Sequence, residues 1–87
     1  MDLPVPDFET RKSIISLLPY QEIIGKLERI HHSDGSMVIE LSTGTLYFPT
    51  SSMEAKICER RLSGQEHSLV SILRTDDPED PLVIRTS

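Results

Sequence analysis

MVIELSTGTLYFP, residues 37–49, is the stretch that decides how the chain is read. Met37, Ile39 and Leu41 alternate with Val38 and Glu40, the period-two pattern of a strand buried on one face. Leu46 and Phe48 continue the apolar face on a return strand, with Thr45 and Tyr47 directed away from it. Ser42-Thr43-Gly44 suits a three-residue hairpin loop, in which Gly44 would supply positive φ without a Cβ clash. Residues 37–49 therefore read as a β-hairpin, and the remaining segments as its cover.

Upstream, YQEIIGKLERIH (20–31) reads as a long first strand with Ile23, Gly25 and Leu27 on one face. Ile30 is out of phase with Leu27, so a β-bulge near Glu28 or Arg29 is expected to return it inward and bend the strand. Gly25 marks a second bend or a close backbone approach. His32 to Ser36 reads as a turn signalled by Asp34-Gly35. Downstream, Ser51 and Glu54 have capping-box spacing ahead of a helix from Ser52 to Leu62. Arg60 and Arg61 lie in its last turn, and Gly64 stops it. Residues 67–74 form a fourth strand, apolar on both faces and so expected to be shielded on both. Leu82 and Ile84 point inward from a fifth, with Val83 and Arg85 outward. Residues 1–19 read as a lead carrying a short helix from Phe8 to Leu18, capped by Asp7 and stopped at Pro19. Residues 20–87 then form one domain of order β-β-β-α-β-β, mainly β.

A chain of 87 residues holds one core and buries only roughly 60–65% of its unfolded surface. Cys58 is the sole cysteine, so no internal disulfide forms. The acidic, proline-containing start lacks the basic end and apolar run of a signal peptide. No apolar run approaches the roughly 20 residues needed to span a bilayer. The expectation is a cytoplasmic protein without membrane contact. Net charge is −5, but the acidity lies at the ends, and residues 11–75 carry eight Lys or Arg against seven Asp or Glu. Nucleic acid is thus not excluded, and no strong basic field recommends it.

Three strands, a helix and two further strands resemble the oligonucleotide/oligosaccharide-binding (OB) fold over residues 20–86. The resemblance rests on IIGKLERI, MVIELSTGTLYFP, SSMEAKICERRL and the pair LVSILR and LVIR. It implies a five-stranded barrel. The best alternative is an Sm-like or SH3-like barrel, in which the helix precedes the strands, as ETRKSIISLL would. OB-like folds look like binding modules, and the implied surface is the outer face of strands two and three with the flanking loops 32–36 and 75–81. Single-stranded DNA or RNA is the first expected ligand, with Tyr47 as a stacking platform. Lys26, Arg29, His31 and His32 lie on or beside that surface. The competing expectation is a protein-interaction or self-assembly domain using Val38, Leu69, Leu73 or Val83 and the acidic loop Asp76-Asp77-Pro78-Glu79-Asp80, which would repel phosphate. His31, His32, His67 and Cys58 are the only soft metal ligands, and their spacing fits no metal motif. GxSxG, P-loop and GxGxxG patterns are missing, so neither catalysis nor a cofactor is expected.

Overall fold

The structure is a computed structural model, and it describes residues 14–87. Its elements follow the expected order: β1 (Glu22–Ser33), β2 (Ser36–Leu41), β3 (Gly44–Pro49), α1 (Met53–Leu62), β4 (Leu69–Arg74) and β5 (Leu82–Thr86). One antiparallel sheet takes the order β3-β2-β1-β4-β5. The long first strand serves both halves. Its C-terminal part pairs with β2 and its N-terminal part with β4, and the register shifts between Leu27 and Arg29, where the bulge was expected. That extra residue restores Ile30 to the core side, where it is half-buried against the cluster.

Leu27 sits at the switch and is fully buried. Its amide donates to the Ser68 carbonyl at 2.9 Å, and its carbonyl accepts from the His67 amide at 2.7 Å. The core around it comprises Ile23, Met37, Ile39, Leu41, Leu46, Phe48, Val70, Ile72, Leu82 and Ile84, closed by Ala55, Ile57, Cys58 and Leu62 of α1.

The sheet is not closed, which corrects the expected barrel. β3 and β5 are its two ends, and no strand pairing joins them among the described residues. Two features hold them apart. Helix α1 packs against both β3 and β5, so its apolar side fills the opening. The outer edge of β3 is also engaged, because the Ile15 amide donates to the Thr45 carbonyl at 2.8 Å and Ile14 bridges Thr45 in parallel. Arg74 ties the margins together. Its Nη1 lies 3.1 Å from Glu54 Oε2 on α1, and its guanidinium stands 6.0 Å from the centre of the Phe48 ring on β3.

Local geometry departs from expectation in several places. Residues 14–18 are not helical, and the rest of the expected 8–18 helix lies outside the described residues. The strand β1 continues to Ser33, so the turn shrinks to Asp34-Gly35, both at positive φ (51° and 77°) as a two-residue primed turn requires. The 37–49 hairpin turns on Ser42-Thr43 alone, since Leu41 pairs with Gly44, and Gly44 does not take positive φ. The helix cap is Ser52 rather than Ser51, its hydroxyl accepting from the Ala55 amide at 3.1 Å. Glu54, the other half of the expected capping box, turns to Arg74 instead.

The Ser42-Thr43 turn needs no primed geometry because β1 holds it. Ser42 Oγ accepts from the Lys26 amide at 2.9 Å, the Ser42 amide donates to the Lys26 carbonyl at 2.9 Å, and Thr43 Oγ1 donates to the Ile24 carbonyl at 2.8 Å. Gly25 lies beneath this contact. A Cβ there would stand 2.5 Å from Thr43 Oγ1 and 3.1 Å from Ser42 Oγ, which explains the glycine as a close backbone approach.

Crowding of this kind costs about 1–3 kcal/mol, and displacing the Thr43 hydroxyl forfeits about 1 kcal/mol more. Replacing a strand glycine returns about 0.5–1 kcal/mol. Gly25→Ala is therefore expected to lower stability by about 1–3 kcal/mol in urea unfolding. Thr43→Ala, which removes the clashing oxygen, should recover part of that loss when combined with it. Equal, additive losses in the double variant would show that the turn does not press on β1.

Candidate binding surfaces

The register of β3-β2-β1 lays the outer face out in rows. Tyr47, Val38 and His31 stand side by side in one row, and Thr45, Glu40 and Arg29 in the next. Three of the five expected ligand-contacting residues, Arg29, His31 and Tyr47, thus share this face. His32 lies in the opposite row beside Met37 and Phe48, because adjacent strand residues face opposite ways. Lys26 lies on the far side of the bulge, paired with Leu69 of β4. The structure does not bring these two to the Tyr47 face.

The basic side chains on that face are already engaged. Glu40 Oε2 lies 2.8 Å from His31 Nε2 and 3.1 Å from Arg29 Nη2. Partial desolvation pushes the Glu40 carboxyl up, but the hydrogen bonds from His31 and Arg29 together outweigh it and hold the group below its ordinary range. Val38 and Thr45, expected outward and available, are buried. Tyr47 is the residue of its row left open, with 48% of its surface exposed.

The outer face of β1-β4-β5 is different. Ile24 pairs with Ser71 and Lys26 with Leu69, so Ile24 and Leu69 are diagonal neighbours on one surface. They are 51% and 53% exposed, which corrects the expectation that β4 is shielded on both faces. Leu73 and Val83, paired on the same face, are half-buried. A shallow groove of about 250 Å³ runs here, lined by Ile24, Leu69, Ser71 and Arg85 among others. Leu69, Leu73 and Val83 were legible as outward apolar residues. Ile24 was missed, although its phase opposite Ile23, Gly25 and Leu27 was the signal.

The acidic loop is built rather than loose. Thr75 closes it, its amide donating to the Pro81 carbonyl at 2.8 Å and its hydroxyl to the Asp80 carbonyl at 2.7 Å. Tyr20 donates its hydroxyl to Asp76 Oδ1 at 2.7 Å, and that bond raises the phenol above its usual range. Cys58 is fully buried, and desolvation, helped by the nearby Glu54 charge, pushes its thiol up to about 12. Such a thiol is a small core hydrophobe and a poor nucleophile. Among the described residues no three His, Cys, Asp or Glu side chains gather as a metal site, and no helix is long and apolar enough to cross a membrane.

Glu40 gives a pH test. Its carboxyl is held lower in the folded chain than in the unfolded one, so its contribution is complete above the ordinary value of 4.5 and fades as pH falls through the folded value. The pair is partly exposed, so the amount is about 0.5 kcal/mol. The stability difference between wild type and Glu40→Gln should shrink as pH falls below 4.5. A difference that grows below that pH would contradict the arrangement.

No protein-family model, curated protein or solved structure gives a significant match to this chain.

Proposed function

We propose that the chain is a non-catalytic binding module whose ligand is another polypeptide, held on the outer face of β1-β4-β5. The observation that carries this reading is the pair Ile24 and Leu69, each half-exposed on a sheet face with Leu73 and Val83 beside them. Large apolar side chains gathered on one strand face lose little by being covered and gain about 25 cal/mol for each Å² removed from water. The strand order β3-β2-β1-β4-β5 is that of a five-stranded barrel opened between its third and fifth strands, which supports an OB-like reading of the scaffold.

Single-stranded nucleic acid is the second reading, favoured by the exposed Tyr47 ring on the outer face of β3. It is the weaker one. Glu40 engages both Arg29 and His31, the basic side chains that share that face, and the acidic loop closes on Tyr20 rather than presenting cations. One stacking ring without free phosphate contacts supplies little affinity.

A photo-crosslinking residue placed at position 69 is expected to form one polypeptide adduct of defined mass, and the same residue at position 47 none. Ile24→Thr and Leu69→Glu should each change stability by no more than about 0.5 kcal/mol, as exposed substitutions do, yet remove the partner. Titration with mixed-sequence single-stranded DNA and RNA at two salt concentrations should leave the amide spectrum unmoved. Salt-sensitive shifts gathered at Arg29, His31 and Tyr47 would replace the polypeptide reading with the nucleic-acid one.

A further inference from the structure

The two ends of the open sheet are not equivalent. Ile14 and Ile15 engage the outer edge of β3 at Thr45, whereas the outer edge of β5 carries no backbone pairing among the described residues. The Arg61 Nη2 atom reaches to 3.5 Å from the Ile84 carbonyl, so that carbonyl faces away from β4. In a strand a residue's N–H and C=O point the same way, so Ile84 and its even-numbered neighbours Leu82 and Thr86 offer their backbone groups to this edge. Odd-numbered residues face β4, and the Ser87 amide continues that pattern by donating to the Leu69 carbonyl at 3.1 Å.

Beside the edge is a cleft of about 510 Å³ lined by Arg60, Arg61, Ile84, Arg85 and Thr86. All three arginines are exposed, and among the described residues none has a carboxylate within ion-pair distance. Charged side chains commonly guard a free edge against aggregation. Here the guard is of a single sign, comes from both α1 and β5, and encloses a cavity. Arg85 and Thr86 also line the apolar groove over Leu69, so cleft and groove meet across β5.

We infer that the open edge of β5 accepts an extended acidic polypeptide segment as an added strand, its carboxylates held by Arg60, Arg61 and Arg85. This inference rests on the polypeptide-binding reading above and specifies the partner's chemistry. An added strand alternates its side chains. Those on the outer side meet Arg85 and the apolar groove, and those on the inner side meet Arg60 and Arg61. Main-chain pairing gives the affinity of such strand addition, and the side-chain pockets give the specificity. A nucleic acid has no repeating amide to pair with Ile84.

The test uses the full chain and a blocked peptide repeating two glutamates and two valines, which puts carboxylates on both faces of an added strand, with the corresponding lysine–valine peptide as its opposite. The acidic peptide is expected to shift the amides of residues 82–86 and the guanidinium signals of Arg60, Arg61 and Arg85, and to slow exchange of the Ile84 amide. Affinity should fall with added salt. Removing all three arginines by alanine substitution should weaken binding about tenfold, three exposed charge pairs together. Lysine replacements, which keep the charge and guard against a folding defect, should lose much less.

Equal binding of the lysine peptide overturns the inference. So does tighter binding of inorganic phosphate or single-stranded DNA at the same signals, which would make the cleft a phosphate site. Dimerisation that the arginine substitutions abolish would assign the edge to a second copy. Peptide shifts confined to Ile24 and Leu69, with the Ile84 amide unprotected, overturn the edge alone and leave the polypeptide reading standing. That reading falls separately, when position 69 yields no crosslink.

Discussion

The structure depends on one crossing, where the turn at Ser42-Thr43 bears down on β1 over Gly25. Three hydrogen bonds fasten it to the backbone of Ile24 and Lys26. Two residues later β1 bulges and changes partner from β4 to β2. The fastening fixes where one half of the sheet ends and the other begins, so two three-stranded halves share a single strand and enclose one core. A side chain at position 25 would crowd Thr43 and Ser42 and weaken that fastening.

β3 and β5 are the two ends of the sheet, and helix α1 packs against both. Their separation follows from competition for the same space and the same backbone groups. Helix α1 inserts its apolar side between them, and Ile15 takes the hydrogen-bonding position on β3 that a closing strand would need. Glu54 and Arg74 then link the helix to β4, and the Arg74 guanidinium faces Phe48 on β3. The result is a sheet with one edge engaged at Thr45 and the other, bordered by arginines, without backbone pairing among the described residues.

The two outer faces differ for electrostatic reasons. On β1-β2-β3 the charges satisfy each other, with Glu40 holding both Arg29 and His31, so that face has little left to offer an anion. On β1-β4-β5 and its edge, apolar Ile24 and Leu69 are exposed, and so are arginines without a carboxylate partner among the described residues, with Glu22 the one acid in the groove lining. Affinity for a polypeptide strand draws on both kinds of group, together with unpaired backbone.

The sequence by itself determined the strands, the helix, the bulge at Leu27–Arg29 and the inward faces of β1, β2, β3 and β5. These are local matters of period, phase and breaker residues, and each leaves its mark within a few positions. It also marked Gly25 as either a bend or a place of close approach, without deciding between them or saying what approaches. Tertiary structure alone decided which outward residues stay in water: Val38 and Thr45 are covered while Ile24 and Leu69 are not, because exposure depends on neighbours distant in the chain. It decided the Ser52 cap, since Glu54 found a better partner in Arg74, twenty residues away. It decided, too, that the sheet stays open, because closure depends on how α1 and Ile15 compete with β5 for the edge of β3. No periodicity within a single strand records that competition.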